Sequence, residues 1–438
     1  MPQNEEEQVK GKTIRIGKGR FSGRDNAVIQ KAMDELAAQG GGTVELPAGI
    51  FEMADGLHLR SRVSVVGQGG ETVLRKAAPS VSSPVADYVG YGHYEITLRD
   101  PDLFRPGMGV LIYDKNAFGF YTTQATLLAR DGNAFFMDAM LSHDYSPSTG
   151  GTVVSIFPLV RAHGVRNAAV SHVTLDGAND PVKMNGCRGG GVFLLQCHGM
   201  TIEAVEVTNY NGDAVSFQQC TDVLVRGCHL HHNSGTGLHP GSGSVRYVMA
   251  DNHIHDNGGD GVFYCLRTTH SLCEGNSISN NAGVGISIGE RDTDHVIRGN
   301  SLAGNGRPAV LFRDVAARGG DRVVLEGNRF KGNCAKTGDA EVVIASGINS
   351  VVLEGNTFES AAPVTIVIGA AARDVCIGHN TVSARPLSPK DARDLSGRVL
   401  FGRRVPPLQV GPGAATAMDT RHLAVKLPRR PRNFHLPK

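Results

Sequence analysis

From Val192 to about Ala384 the chain repeats itself with a period near 24 residues. Each unit opens on a short apolar run. These are Val192-Phe193-Leu194, Val215-Ser216-Phe217, Leu238-His239-Pro240, Val262-Phe263-Tyr264, Ile286-Ser287-Ile288, Val310-Leu311-Phe312, Val342-Val343-Ile344 and Ile366-Val367-Ile368, at steps of 23, 23, 24, 24, 24, 32 and 24 residues. Two further columns keep the same period. Asn252, Asn276, Asn300, Asn328, Asn356 and Asn380 precede a short strand, with Cys228 in that place one unit earlier, and Asn233, Asn257, Asn281, Asn305 and Asn333 follow it. Self-similarity at a fixed period of this length is the signature of a stacked array, in which each unit buries its apolar face only against its neighbours.

The period also selects the kind of array. Two-helix repeats need more than about 30 residues, and leucine-rich repeats need their Leu ladder. Here each unit holds only short β-branched and apolar alternations broken by Gly, Asn and Asp. Three strands of about 4–5 residues with three turns consume about 24 residues. The expected fold is therefore all-β, a single-stranded right-handed parallel β-helix. Asn suits its turns because it tolerates the left-handed conformation and its amides can hydrogen-bond along the axis. The pattern resembles the pectate-lyase-like β-helix superfamily over most of the chain. The helix expected over Asp25–Gln39, followed by Gly42-Thr43-Val44-Glu45-Leu46-Pro47-Ala48-Gly49, is similar to the way that superfamily begins its coil.

Five segments are expected: a flexible start over 1–22, a capping helix with the first rungs over 23–97, a β-rich insertion over 98–158, regular coils over 159–385 and a basic, Pro-rich end over 386–438. In the second, Ile29 and Leu36 lie on the helix's apolar stripe and should cover the open core. In the insertion the period is lost, and Phe118, Phe120, Tyr121 and Tyr145 either pack its own core or face a substrate. The final segment carries 11 Lys and Arg against 3 Asp and Glu, a tail or a basic arm for an acidic polymer. A net charge of +2 argues against a general nucleic-acid binder, and no apolar run of membrane-spanning length exists. Cys197 and Cys220, one unit apart, read as stacked core residues, not a disulfide. Glu5-Glu6-Glu7 stands where a secretory signal would be basic, so no signal peptide is expected. The superfamily resemblance implies an extracellular or periplasmic place, and a cytoplasmic one stays open.

Alternation along the first strand of each unit puts Phe193, Ser216, His239, Phe263, Ser287 and Leu311 in one outward column, with neighbours ~4.8 Å apart. Gln218, Gln219, Ser242, Arg267, Glu290, Arg291, Arg313 and Asp314 follow these strands, and Asp213 and Asp260 precede two of them. This crowding of polar groups is the functional signal. Gly237-Leu238-His239-Pro240-Gly241-Ser242, followed by Met249-Ala250-Asp251-Asn252, resembles the catalytic rung of mannuronan C5-epimerases, which carry Gly-Phe-Asp-Pro-His-Asp and an Arg on the next rung. Arg267 falls near that Arg, His239 takes the place of the first Asp, and Gly241 takes the place of the family's His.

The resemblance implies lyase or epimerase chemistry on a uronate polymer. A cation neutralises the carboxylate and a base removes the C5 proton. Arg267 is the expected clamp and His239 the base, with Tyr264, His270 and Glu290 as candidate acids, although alternation turns Tyr264 inward. Gln218, Ser242, His270, Arg291 and Arg313 are expected to contact substrate. The competing reading is glycoside hydrolysis by Asp213 and Asp260, two rungs apart. Asn211-Gly212-Asp213 is similar to the Asn-x-Asp of polygalacturonases, whose other motifs are absent. A third is a non-catalytic glycan-binding solenoid, which the absence of Trp favours. The expected partner is a polysaccharide or oligosaccharide, and oligomeric state stays open. His229 and His253, and His231 and His255, stack one unit apart on an outer face and are read as solvated polar groups, so no metal site is assigned. No cofactor is required, with Ca2+ left open.

Overall fold

The computed structural model describes residues 12–402 apart from 78, 117–120, 185–187, 316–318, 335–337, 339 and 360–363. Phe118 and Phe120, and most of the basic end, lie outside the described residues. Three long parallel sheets wind together as a β-solenoid. The first has 11 strands and contains the unit-opening runs, the second has 13 and the third 12. Successive strands of the first sheet, such as Asp213–Gln218 and Leu238–Gly241, pair in parallel, with Val215 opposite Leu238 and Ser216 opposite His239. The same register carries Val262 to Ile286 and on to Val310. Inward residues such as Val192, Leu194, Val215, Phe217 and Leu238 form one continuous core down the axis.

The two Asn columns become two buried amide ladders. Asn252 Nδ2 donates to Asn276 Oδ1 at 2.9 Å, Asn276 to Asn300 at 2.9 Å and Asn300 to Asn328 at 3.0 Å. The second ladder runs from Asn233 through Asn257, Asn281 and Asn305 to Asn333. Along each ladder the Oδ1 also accepts the backbone N–H of the Asn one coil earlier, as in Asn252 N to Asn276, and at the two heads Asn252 and Asn233 accept instead from Cys228 N and Tyr210 N. The left-handed residue is not the Asn itself but the one before it: Asp251, Gly275, Gly299, Gly327 and Gly355 beside one ladder, His232, Asp256, Asn280, Gly304 and Gly332 beside the other. The Asn is selected because it satisfies buried backbone groups, rather than because it tolerates positive φ.

Near the N-terminal end a helix spans Asn26–Ala38, with Asp25 as its N-cap accepting from Val28 N at 2.9 Å. Its buried Ile29, Ala32, Met33 and Leu36 join the same core as Val44 and Val63 of the first coils. A six-stranded antiparallel sheet draws strands from Ser82–Pro84 to Thr152–Val154 and has a core of its own, including Ile96, Ile112, Phe135 and Tyr145. Tyr145 is buried there, whereas Tyr121 is exposed. Cys197 and Cys220 are both free thiols, with Cys197 N directed at Cys220 Sγ. Among the described residues no helix is long and apolar enough to cross a membrane.

Candidate functional site

The outward column of the first sheet is continuous. His58 stands opposite Arg161, Arg161 opposite Phe193, Phe193 opposite Ser216, and Ser216 opposite His239. Phe193 is buried yet lies outside the core that holds its neighbours Val192 and Leu194, as alternation requires. The column is not the thinly packed polar face expected of outward positions. His239 is only 5% exposed, and Ser216 and Ser287 are buried. The reason is the order of sizes: small Ser216 is shaded between Phe193 and His239, and the His239 and Phe263 rings pack nearly perpendicular with centroids 5.2 Å apart.

His239 does not stand alone. Its Nδ1 lies 2.6 Å from Asp213 Oδ2, while Asp213 Oδ1 accepts the backbone N–H of Thr236 at 2.7 Å. An Nδ1–H donated to this carboxylate fixes the tautomer and leaves Nε2 as the basic nitrogen. Gln218 is buried beside the pair and donates to Ser216 Oγ at 3.0 Å. A Cβ at Gly241 would lie 2.5 Å from Gln218 Oε1, so a larger residue there would push the Gln218 amide aside. Further along, the Arg313 guanidinium lies 4.2 Å above the Phe263 ring and donates to Ser287 Oγ and to the Tyr264 carbonyl, each at 2.7 Å. Asp260 accepts the backbone N–H of Val284 at 2.7 Å. Burial raises its pKa, against the backbone donor and the charges of Arg313 and Arg307.

The remaining sequence candidates lie elsewhere. Arg267 stands exposed on the turn leaving the first sheet, and its backbone N–H donates to the Glu290 carbonyl. Ser242, Arg267 and Arg291 all take positive φ on this turn. Glu290 accepts from its neighbour Arg291 at 2.6 Å. His270 sits on the second sheet in a column of positive-φ residues with Arg246, Asp294 and Arg322, in which Asp294 takes a two-pronged ion pair from Arg322. Tyr264 points into the core, and burial pushes its phenol well above the usual range. Asp213, His239, Gln218 and Arg313 thus share the outer face of the first sheet, whereas Arg267, Ser242, Glu290 and Arg291 share its flanking turn.

A second cluster escaped the sequence reading. A cleft of about 550 Å³ opens between the first rungs and the antiparallel sheet, lined among others by His58, Tyr94, Asp138, Met140, Arg161 and Phe193. Arg161 Nη2 donates to Asp138 Oδ2 at 2.8 Å and to Thr126 Oγ1 at 3.0 Å, and Arg161 Nε approaches His58 at 2.9 Å. His58 Nε2 lies 2.9 Å from buried Asp55. Burial pushes Asp55 upward, but the His58 hydrogen bond and the charge of Arg161 outweigh it and hold the carboxyl below its ordinary value. His58 occupies the outward place of a rung legible in the sequence. Continuing the column backward would have found it, but the insertion sets His58 and Arg161 103 positions apart in sequence.

Comparison with known proteins agrees with this architecture. The family described as "Right handed beta helix region" matches residues 164–314. The fold is similar to the A-module of the Azotobacter vinelandii mannuronan C-5 epimerase AlgE4, at 18% identity and a TM-score of 0.54, covering 89% of this chain and 96% of that one. The AlgE6 A-module from the same organism gives 18% identity and a TM-score of 0.51 over 90% and 97% of the two chains. PfbA, a surface adhesin of Streptococcus pneumoniae, gives 11% and 0.52 over 82% and 81%. No match is found among curated protein sequences. The chain folds as a right-handed parallel β-helix, with the matched region at its centre. Its fold is the one that mannuronan C-5 epimerase modules and a bacterial adhesin share.

Proposed function

We propose that the protein binds an acidic polysaccharide along the outer face of its first sheet and removes the C5 proton of a uronate, as a lyase or a C5-epimerase does. The observation that carries this reading is the buried Asp213–His239 pair at 2.6 Å. The pair holds one imidazole in a single tautomer, next to an aromatic ring covered by a guanidinium. His239 Nε2, which the surrounding side chains cover in the free protein, takes the C5 proton once the Phe263 and Arg313 side chains shift to admit the sugar. Arg313, rather than the turn residue Arg267, lies beside the column and neutralises the sugar carboxylate. The electron pair left at C5 delocalises into that carboxylate. In elimination it then forms the C4–C5 double bond as the C4–O4 bond breaks and O4 takes a proton. In epimerisation C5 is reprotonated from the opposite face. Asp260, whose burial favours its protonated form, supplies that proton.

The cleft holding Arg161 and His58 extends the same column and receives the chain on one side of the dyad. The antiparallel sheet forms its wall, and the Asn26–Ala38 helix caps the core. One observation favours glycoside hydrolysis instead: Asp260, one of the two carboxylates of that reading, has its pKa raised by burial, as a proton donor needs. Against it, one oxygen of Asp213 is engaged by Thr236 N and the other by His239.

The test is a panel of uronate polysaccharides assayed for ultraviolet absorbance of unsaturated ends, for C5 inversion by NMR and for new reducing ends. His239→Ala and Asp213→Ala should each lower turnover by about 10²-fold or more. Wild-type turnover in both variants sinks the proposal. Reducing ends without unsaturation hand the site to the hydrolase reading. Binding without any turnover makes the solenoid a glycan-binding protein.

A further inference from the structure

The third sheet carries a histidine cluster that the outer face of the first sheet does not use. His229 and His231 lie on the strand His229–His231, and His253 and His255 stand opposite them on His253–His255. Simple solvated side chains would splay apart, but these rings are packed. His229 stacks on His253 and His231 on His255, each with centroids 5.0 Å apart and planes within 4°. On the preceding rung Glu206 stands opposite His229, and its Oε1 lies 3.0 Å from His231 Nε2. One ring nitrogen each of His229, His231 and His255 falls within 4.8 Å of the others.

The protonation pattern is constrained. His255 Nδ1 lies 2.6 Å from Asp256 Oδ2, so that nitrogen carries the hydrogen and Nε2 is a lone pair. His229 Nε2 lies 2.7 Å from that same lone pair. Two bare imidazole nitrogens repel at this distance, so either His229 Nε2 carries a hydrogen and donates it to His255, or a metal ion takes that hydrogen's place between the two lone pairs. Two ligands about 2.0–2.1 Å from a tetrahedral ion lie roughly 3.3 Å apart, so a small opening of the pair admits a metal. His229 then keeps its hydrogen on Nδ1.

We propose that His229, His231, His255 and Glu206 form a binding site for one divalent first-row transition ion of the Zn(II) class. Three neutral imidazoles and one carboxylate suit Zn(II), with Cu(II), Ni(II) and Co(II) as chemically allied ligands. Hard, oxygen-seeking ions such as Ca2+ and Mg2+ fit this nitrogen-rich set poorly. The scaffold is preorganised, because ladder hydrogen bonds fix all three strands at their spacing. Asp256 is a positioning residue that orients His255 and makes it a better donor. A bound ion would tie Glu206, His229 and His255 together across three consecutive coils.

The experiment uses the full chain, stripped with EDTA, dialysed and titrated calorimetrically with ZnSO4. One Zn(II) per chain at about micromolar affinity or tighter is expected. Co(II) should give the intense visible absorption of a tetrahedral complex. The double variant His229→Ala/His255→Ala should lose binding, with its circular dichroism unchanged. Asp256→Asn should weaken binding by about 10–100-fold, and His379→Ala, on a distant coil, should bind as the wild type does. Absence of stoichiometric Zn(II) binding, or equal binding in the double variant, overturns the site. Should the double variant misfold, His255→Gln with Asp256→Asn decides between the same two outcomes.

Discussion

Replacing Asn276 by Ala isolates one rung of the buried ladder. Its Oδ1 accepts both the backbone N–H and the Nδ2–H of Asn252, and its Nδ2 donates to the Met249 carbonyl and to Asn300 Oδ1. All these groups are buried. Truncation keeps the Asn276 backbone bond to Asn300 but strands the Asn252 N–H, and the Met249 carbonyl, paired in the parallel ladder opposite Cys273, loses its second donor. Each stranded buried group costs about 1–3 kcal/mol. The expected loss is therefore about 3 kcal/mol, with water entering the vacated space setting the lower end. Ser277, the next residue, is exposed, so Ser277→Ala should stay within about 0.5 kcal/mol of wild type. Guanidinium unfolding followed by circular dichroism measures both variants against the parent. If Asn276→Ala is no more destabilised than Ser277→Ala, the ladder is a consequence of the coil and not one of its supports.

Two other tests use different groups. His295 is fully buried against Tyr264 and Ser271, and burial depresses its pKa to about 3. An unfolded His titrates near 6.5, so as pH falls from about 6.5 towards 3 only the unfolded state gains the proton, and folding stability is lost across that window. Stability curves of the wild type and His295→Gln should converge as pH falls through it, and parallel curves would refute the assignment. Arg161→Met should weaken binding of an acidic oligosaccharide about tenfold while leaving His239 chemistry intact, read as a rise in KM at nearly constant kcat. An unchanged KM would remove the cleft from the binding surface.

The coil was legible in the sequence because its physical cause is local and recurrent. Every unit needs two faces of short alternating strands and two buried backbone gaps filled by Asn, and those requirements return every 24 residues or so. The outward column from Phe193 to Leu311 was legible for the same reason, since alternation and register are properties of one strand repeated. Partnership inside the column was not. Asp213 meets His239 across 26 residues, and Arg313 reaches back from a later coil over Phe263. Both depend on which way long side chains lean, which spacing alone does not encode. The resemblance drew attention to Arg267 because it follows the motif, whereas the backbone leaves it exposed on a turn.

The cleft needed tertiary structure most of all. Its His58, Arg161 and Asp138 belong to two rungs and an interrupting sheet. The interruption hides in the sequence that the two rungs are adjacent in space. The histidine cluster lies between these cases. Periodicity placed four rings on one face, but only the packed structure showed His229 and His255 aimed at one point, with Asp256 fixing the tautomer. A repeat determines where each Cα stands, while the chemistry depends on side-chain directions that neighbouring coils impose.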